Sequence, residues 1–348
     1  MDRAGTPLPV SVVVLNWNGH DDTVDCVESL LAQEPGPLEV WVVDNASEGG
    51  EADRLSARFG DRIRLLRNDA NLGFTGGNNV AMRRVLDEGR AEWVALLNND
   101  AVAEAGWLAA LHAAGAAEPG TGVLASKMLF HDDPGRIENT GVVLLTSGEA
   151  LPRDRGRPAG ARPRPDRPIG ACAGAAMYRC AMLREVGLFR DEYFANFEDV
   201  ELSLRALARG WDTRYVPGAR VRHRLSRSIR KVRDEAFLLR SQRNLLHATW
   251  TCLPAQVLAL NAPWILFGLL CQLLLAPLVG QRLLARVIRR SRLELWRRRG
   301  EIRAARRELA PLRRGPWLRF WWRQRNPLPA YLASFWAIVV RRERRFFE

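Results

Sequence analysis

The chain has 348 residues, 47% of them hydrophobic, which is enough for one large α/β domain with an appendage or for two smaller domains. Its net charge of +13 is uneven: residues 281–348 hold 20 arginines against five glutamates, a net charge of +15 that leaves −2 for the first 280 residues. A basic tail of this kind can meet anionic lipid, nucleic acid or another acidic partner. Five cysteines without paired spacing argue against a disulfide framework and favour a reduced, cytosolic compartment. The short apolar run at residues 10–15 predicts no signal peptide.

Short apolar runs alternate with helical stretches along the first half of the chain. The predicted strands are residues 10–15, 38–43, 62–66, 93–97 and, less distinctly, 122–128. Helices are expected after Asp21 or Asp22, which can serve as N-caps, and up to about Gly89. This alternation predicts an α/β fold with a mostly parallel sheet covered by helices.

Polar residues follow directly where these strands end. The run 93–97 continues into Asn98, Asn99 and Asp100. Ligands of open α/β sheets bind at the carboxyl edge of the strands, so Asp100 is a candidate for holding a divalent cation against a diphosphate. The alternative is that Asp100 caps a helix beginning near Glu104, since Asp is a favoured N-cap.

Two further segments allow two interpretations or predict a loop. Residues 147–168 are rich in Arg, Pro and Gly without an apolar period, which predicts a surface loop. Residues 169–178 are mostly small. They permit close approach of a ligand to the backbone or tight packing against a strand, and the pattern favours neither.

Adjacent acids open a predicted helix near residue 200. Glu198 and Asp199 follow aromatic residues and precede a helical face that includes Val200 and Leu204. The helix dipole explains one acid in the first turn, whereas a partly desolvated pair also suits a general base. His223 ends the strand-like run 216–223 and is either structural or a metal ligand.

Taken together, these motifs resemble family 2 glycosyltransferases of the GT-A fold, and within them the bacterial rhamnosyltransferases and galactofuranosyltransferases of cell-surface polysaccharide assembly. The resemblance covers roughly residues 10–225. It is carried in order by residues 13–18 (VVLNWN), 42–47 (VVDNAS), 67–68 (RN), 71–74 (NLGF), 77–79 (GNN), 96–100 (LLNND), 187–189 (GLF), 197–202 (FEDVEL) and 216–223 (VPGARVRH).

The resemblance implies a nucleoside diphosphate sugar as donor. Asp44 is expected to contact the nucleotide base, and Asn71 and its neighbours to shape the nucleoside side. The residues implied to surround the nucleotide-sugar are Leu15, Asn16, Asp44, Asn71, Gly73, Phe74, Gly77, Asn78, Asn98 and Asn99.

The resemblance also implies a metal-dependent, inverting transfer. Asp100 is expected to hold Mg²⁺ or Mn²⁺ against the diphosphate, with His223 completing the metal shell. Asp199 is expected to be the general base on the acceptor hydroxyl, with Glu198 helping to hold the acceptor. Asn98 stands where many members have Asp, so the metal relies more on water and phosphate ligands. One base without a covalent nucleophile predicts inversion at the sugar C1.

The chain is predicted to consist of a GT-A domain at residues 1–235 and a helical region at residues 236–348. The helical region suggests membrane association. Residues 258–279 are apolar over nearly the roughly 20 residues needed to span a bilayer, but Pro and amide residues make an interfacial or re-entrant segment an equal alternative. Residues 328–340 form a second, shorter apolar stretch. The Arg and Trp residues around them suit a headgroup region.

These features predict attachment to an anionic surface at the cytoplasmic face of the inner membrane, where a lipid-linked or polysaccharide acceptor would be met. Nucleic acid, the rival partner for a basic aromatic tail, leaves the apolar runs unexplained.

Two other function classes fit the sequence less well. A dinucleotide-dependent dehydrogenase requires a Gly-x-Gly-x-x-Gly turn after the first strand, where this chain has Asn16 to Gly19. A non-catalytic nucleotide-sugar-binding membrane protein has no need for Asp100, Asp199 and His223 together. Glycosyl transfer, from dTDP-rhamnose as the favoured donor, is therefore the preferred prediction.

Overall fold

The computed structural model describes residues 6–224, 234–278 and 282–336. It divides into two compact units. The first comprises Met1–Val142 and Pro152–Lys231, and the second comprises Val143–Leu151 and Val232–Glu348. The boundary predicted after residue 235 stays a prediction, because residues 225–233 lie outside the described residues.

The first unit alternates strands and helices from its first element onward. Its helices are α1 (His20–Leu31), α2 (Glu51–Phe59), α3 (Gly73–Glu88), α4 (Trp107–Ala117), α5 (Cys180–Val186) and α6 (Glu198–Ala208). Its strands are β1 (Leu8–Asn16), β2 (Pro37–Asp44), β3 (Arg64–Arg67), β4 (Trp93–Leu97), β5 (Ala101–Ala103), β6 (Thr121–Phe130), β7 (Ile137–Asn139), β10 (Ala175–Arg179) and β11 (Asp212–His223). The remaining strands, β8 (Val142–Leu144) and β9 (Ala150–Pro152), pair with each other and fall mostly within the second unit.

Nine of the strands in the described residues form one mixed sheet of order β3-β2-β1-β4-β10-β6-β11-β5, with β7 paired to β6. Strands β1 to β4 are mutually parallel, and β6 is parallel to β11. The antiparallel members are β10, between β4 and β6, and β5 and β7. The mostly parallel α/β sheet predicted from the sequence is therefore confirmed.

Helices cover both faces of this sheet, which explains why its strands read as continuous apolar runs. On β1, Val12 and Val14 point to a cluster completed by α1 and α4. Val13 points the other way, to a cluster completed by α3, α5 and α6. The side chains of all three valines are fully buried.

Three sequence expectations are refined by the structure. The helix expected near Glu104 begins at Trp107, and residues 101–103 form β5, so Asp100 does not cap a helix. The small-residue run contains β10, and the backbone of Gly174 lies so close to Asn98 that an added Cβ would be 3.0 Å from its Nδ2. The expected loop 147–168 contains the short strand β9.

Apart from the β8–β9 pair, the described residues of the second unit form helices. Its helices are α7 (Glu235–Cys252), α8 (Ala255–Leu278), α9 (Arg282–Arg297), α10 (Arg299–Leu309), α11 (Leu318–Trp321) and α12 (Leu328–Phe335). Within α8, Ala255–Leu273 is long and apolar enough to cross a membrane, and only 17% of that stretch is buried. Of the predicted apolar stretch 328–340, residues 337–340 lie outside the described residues.

The first turn of α3 packs tightly against the segment that leads into α6. Gly73 has a φ of +70°, and a Cβ there would overlap the carbonyl oxygen of Phe194. The amide of Thr75 donates a hydrogen bond of 3.1 Å to the same oxygen. Position 73 therefore requires glycine both for its left-handed backbone and for this close approach.

We predict that Gly73→Ala destabilises the fold more than Gly49→Ala does. Gly49 has a nearly identical φ of +67° but nothing within 4 Å of an added Cβ. Gly49→Ala should therefore cost only the backbone strain, about 1 kcal/mol. Gly73→Ala should cost about 1–3 kcal/mol more because Phe194 must move. Thermal unfolding of both full-length variants measures the difference, and equal melting temperatures would show that the contact is unimportant.

Candidate active site

The predicted site residues lie along one edge of the sheet. The strand register pairs Asn16 at the end of β1 with Asp44 at the end of β2. At the same edge, His223 at the end of β11 is paired with Phe130 at the end of β6 and with Ala101, the residue after Asp100. The carboxyl ends of the parallel strands thus bring distant sequence segments together, as in other open α/β sheets.

Asn16 and Asp44 form a buried polar cluster at the β1–β2 end of this edge. The Asn16 Nδ2 donates to Asp44 Oδ1 at 2.8 Å and to Glu51 Oε2 at 2.9 Å. The other Asp44 oxygen accepts a hydrogen bond of 3.1 Å from the Ser47 amide. The Asp44 carboxylate is therefore held in one orientation by the strand ends themselves.

Asn45 organises the loop that precedes α3. Its Nδ2 donates to Asn71 Oδ1 at 2.9 Å and to the Gly73 carbonyl at 3.2 Å. Its Oδ1 accepts from Asn68 Nδ2 and from the Leu72 amide, each at 3.0 Å. Asn71 and Gly73, both predicted to shape the nucleoside side, thus owe their positions to this one amide.

The other residues predicted near the nucleoside pack within α3 and against β1. A Cβ at Gly77 would lie 2.5 Å from Leu15 Cδ1, so glycine lets α3 approach the end of β1. Asn78 is buried, and its Nδ2 donates to the Phe74 carbonyl at 2.8 Å. In the described geometry Gly77 and Asn78 therefore shape the helix, while Leu15 is partly exposed at the strand end.

A hydrogen-bond chain links the two halves of the edge. Asn99 Nδ2 donates to Thr23 Oγ1 at 3.0 Å, and Thr23 Oγ1 donates to Asn16 Oδ1 at 2.7 Å. Because Asn16 also contacts Asp44, the ends of β1, β2 and β4 are fixed relative to one another. Thr23 lies on α1 and is fully buried.

Asp100 and His223, predicted as metal ligands, are in direct contact. His223 Nε2 lies 3.0 Å from Asp100 Oδ1, and His223 Nδ1 lies 2.7 Å from Glu138 Oε2. All three side chains are nearly buried. Burial alone would lower the pKa of His223, but the hydrogen bonds to Asp100 and Glu138 outweigh it and raise the pKa to about 10. Asn98 Nδ2 lies 3.3 Å from His223 Nε2.

The donor set of Asp100 and His223 fits a hard divalent cation that keeps other ligands. Asp100 Oδ1 and His223 Nε2 are 3.0 Å apart in a direct hydrogen bond, so both atoms could reach one ion with bonds of about 2.1 Å once the proton between them is lost. No cluster of three or more His, Cys, Asp or Glu side chains with metal-binding geometry occurs in the described parts of the chain. Two protein ligands would therefore leave most of the coordination shell to phosphate oxygens and water.

Glu198 and Asp199 open α6 beside β10. The Asp199 carboxylate accepts hydrogen bonds from the amides of Val200 at 2.7 Å and Ala173 at 3.1 Å. Burial raises the pKa of Asp199, and burial together with the Asp199 charge raises the pKa of Glu198 to about 8. Two backbone donors stabilise the charged form of Asp199, so Asp199 loses its proton at a lower pH than Glu198 does.

A buried ion pair between Glu201, in the first turn of α6, and Arg205, one turn later, fixes this helix. Glu201 is fully buried and accepts hydrogen bonds from Arg205 at 2.7 Å and from Arg190 at 2.9 Å. Burial acts to raise the pKa of Glu201, but both arginines together lower it below its usual value. Arg205 also donates to the Leu188 carbonyl at 2.7 Å, so α6 is tied to the preceding loop.

Sequence reasoning did not assign a role to Asn45, Thr23 or Glu138. Asn45 follows Asp44 at a strand end, and that position was a usable signal. Thr23 is one residue past the predicted N-caps of α1 and resembles any helix residue. Glu138 lies in a three-residue strand within a stretch that was not predicted as an element, so only the fold brings it to His223.

Two solved structures with a similar fold contain UDP or a UDP-sugar. GalNAc-T7, solved with UDP, GalNAc and Mn²⁺, matches with a TM-score of 0.55 and 15% identity over 71% of this chain and 48% of that chain. TarS 1–349 of S. aureus in complex with UDP-GlcNAc matches with a TM-score of 0.51 and 16% identity over 74% of this chain and 70% of that chain. These likenesses establish the GT-A fold that the motifs predict.

The sequence places the chain within a family. A family model described as glycosyltransferase-like family 2 matches residues 7–243, and the chain belongs to glycosyltransferase family 2. The N-acetylglucosaminyl-diphospho-decaprenol L-rhamnosyltransferase of Mycobacterium tuberculosis is 28% identical over 241 residues, 64% of this chain and 77% of that protein. Protein y4gI of Sinorhizobium fredii is 32% identical over 245 residues, and the matched part is a quarter of its length (25%).

We predict that Glu198→Gln stabilises the protein in a pH-dependent manner. The pKa of Glu198 is raised to about 8 from 4.5, so the parent loses stability as pH rises from the lower value through the higher one. Glutamine removes this titration. The difference in melting temperature, variant minus parent, should therefore increase by several degrees between about pH 5 and about pH 8.5.

Glu201→Gln is the matched control on the same helix. The lowered pKa of Glu201 means that its charge stabilises the fold at every pH above its unfolded-state value. The melting temperature of this variant should be lower than that of the parent at about pH 5 and at about pH 8.5. A Glu198→Gln difference that stays constant with pH would show that the Glu198 carboxyl is not desolvated.

Proposed function

We propose that the protein transfers a sugar, with inversion, from a nucleoside diphosphate sugar to a hydroxyl of a lipid-linked or polysaccharide acceptor. The favoured donor is dTDP-rhamnose, and the favoured location is the cytoplasmic face of the inner membrane. The observation that carries this proposal is the single sheet edge on which a fixed Asp44, an Asp100–His223 pair and the Glu198–Asp199 pair are assembled.

The β1–β2 end of the edge suits the nucleotide. Asp44 is oriented by Asn16 and by the Ser47 amide and retains acceptor capacity toward a base. Asn45 holds the loop at Asn71 and Gly73 in place, so this loop can form one preformed wall of a nucleotide site beside Asp44. We assign donor binding to this end, with Asn98 and Asn99 next to the diphosphate.

Asp100 and His223 would hold Mg²⁺ or Mn²⁺ beside the diphosphate. A bound cation of this kind stabilises the negative charge of the departing diphosphate. Both ring nitrogens of His223 face carboxylates, and Nε2 would have to be free of its proton to hold a cation.

Asp199 is the proposed general base. In the transfer, the acceptor oxygen forms a bond to the sugar C1 while the bond from C1 to the diphosphate oxygen breaks and its electron pair leaves with the diphosphate. The acceptor proton passes to the Asp199 carboxylate, whose orientation is set by the Ala173 and Val200 amides. Protonated Glu198 can donate a hydrogen bond that positions the acceptor.

The acceptor class and location rest on the second unit and on one relative. Helix α8 exposes a row of apolar side chains that includes Leu260, Leu266 and Leu270. Trp322 and Trp336 are also largely exposed, and α9 and α10 are rich in arginine. Such a combination suits the boundary of an anionic bilayer. The mycobacterial relative is named for rhamnosyl transfer to a diphospho-decaprenol-linked sugar, which supports the same choice here.

We predict that Asp199→Asn abolishes transfer but not donor binding. Loss of a general base typically costs about 10²–10⁴ in rate, whereas the nucleotide lies at the other end of the edge. Turnover and donor-induced thermal shifts should be measured together with Mg²⁺ and a panel of dTDP-, UDP- and GDP-sugars. The largest shift is expected with dTDP-rhamnose, and it should persist in the variant.

Asp191→Asn is the control variant. The Asp191 carboxylate pairs with Arg83 and accepts a hydrogen bond from Asn79, both on α3, and it has no assigned role in transfer. This variant should keep most activity. Parent-level transfer by Asp199→Asn would refute the base assignment, and a parent that binds a donor without turnover under any acceptor condition would indicate a binding protein instead.

We also predict that Leu266→Glu with Leu270→Glu weakens membrane attachment at least tenfold, because a carboxylate in the hydrocarbon region costs about 2.5–3.5 kcal/mol. Flotation of the full-length protein with phosphatidylglycerol-containing vesicles measures the bound fraction. Ser56→Glu with Ala57→Glu, on the exposed face of α2, adds the same charge and should have no effect. Equal flotation of the two double variants would overturn the location.

A further inference from the structure

Glu138 reaches the proposed metal site from a different strand and is not part of any motif. It lies on β7, which pairs with one side of β6, whereas β11 with His223 pairs with the other side. The Glu138 carboxylate crosses over the end of β6, and its Oε2 is 2.7 Å from His223 Nδ1. Its side chain is 7% exposed, so this contact is shielded from water.

We propose that Glu138 is a positioning residue that fixes the ring of His223 so that Nε2 faces Asp100, and that this sets the affinity of the pair for a divalent cation. The inference rests on the proposed function, since it presupposes that Asp100 and His223 hold the cation. It adds a residue and a role that the motifs do not contain.

The orientation of an imidazole is the first part of the argument. A His side chain can present either nitrogen after a ring flip, and only one choice leaves Nε2 3.0 Å from Asp100 Oδ1. A hydrogen bond from Nδ1–H to a carboxylate selects that orientation and tautomer. Carboxylates behind metal-bound histidines act in this way in many metal sites, and their loss typically weakens metal binding about 10–100-fold.

Charge is the second part. Among the described residues, Asp100 is the one carboxylate beside the proposed cation position, and Glu138 supplies a second negative charge one imidazole further away. In a buried setting this charge is weakly screened and makes the site more attractive to a dication. In the part of the chain that the structure describes, the nearest cation to Glu138 other than His223 is Arg155, at 4.0 Å from Oε1 and 39% exposed, so the short contact of Glu138 is with the imidazole.

The alternative role is purely structural, with Asp100, His223 and Glu138 stabilising the sheet edge as a buried polar triad. The two roles differ in what the removal of Glu138 changes. A structural triad predicts lower thermal stability and an unchanged affinity for Mn²⁺ in the folded fraction. A positioning role predicts weaker Mn²⁺ binding even where folding is intact.

The test measures Mn²⁺ binding by the purified full-length protein in the presence of dTDP. Titration calorimetry gives the affinity, and the electron paramagnetic resonance signal of free Mn²⁺ gives an independent value. Glu138→Leu should bind Mn²⁺ about 10–100-fold more weakly than the parent. Glu138→Gln should lie between the two, because its amide oxygen still accepts from Nδ1–H without carrying charge. Activity of both variants should recover as Mn²⁺ is raised.

Asp154→Asn is the matched control. Asp154 is also nearly buried, with 5% side-chain exposure, and it binds Thr140 at 2.8 Å and Arg162 at 2.9 Å rather than the proposed site. This variant should lose stability but keep the parent affinity for Mn²⁺. Thermal unfolding of every variant separates folding from binding, and Glu138→Gln covers the case in which Glu138→Leu does not fold.

Parent-like Mn²⁺ affinity in a folded Glu138→Gln and Glu138→Leu pair would overturn the inference. Asp100→Asn and His223→Ala then locate the failure. If these two variants abolish Mn²⁺ binding, only the role of Glu138 falls. If they also bind like the parent, the proposed cation site itself is wrong, and with it the metal-dependent part of the proposed function.

Discussion

A network of hydrogen bonds between polar side chains at one sheet edge is the constraint on which the rest of the first unit depends. Asp44, Asn16, Thr23 and Asn99 are joined by successive hydrogen bonds of 2.7–3.0 Å, so the ends of β1, β2 and β4 cannot shift independently. Each of these groups would be costly to bury alone, and each is satisfied by a residue from a different strand or helix. A rigid edge of this kind is what a site that must hold a diphosphate and an attacking alcohol in register requires.

Local backbone strain lies next to this edge, where the chain enters α6. Phe194, Asn196 and Phe197 all have φ between 61° and 75°, which is uncommon for non-glycine residues. The close packing of Gly73 on Phe194 and the ion pair of Glu201 with Arg205 hold the segment in place. Strained segments of this type concentrate at functional sites, and this one leads directly into Glu198 and Asp199 in the first turn of α6.

The sequence predicted most of this edge because its signal is local. Strands buried on both faces give continuous apolar runs, and residues such as Asp44 and Asp100 stand directly after them. The antiparallel strand β10 was harder to predict, since small residues from 169 to 178 suit a ligand contact and a strand equally. The role of Glu138 could not be predicted, because Glu138 and His223 are 85 residues apart in the sequence and their contact depends on β6 lying between their strands. The direct Asp100–His223 contact likewise needed the register of β5 against β11.

The most direct test of the central claim is the anomalous difference density of Mn²⁺ in crystals grown with MnCl₂ and dTDP. The account predicts a single strong peak within about 2.3 Å of both Asp100 Oδ1 and His223 Nε2, with the remaining ligands from diphosphate and water. A peak at any other group of side chains, or dTDP bound at the edge with Asp100 and His223 still in direct contact and no manganese beside them, would contradict it.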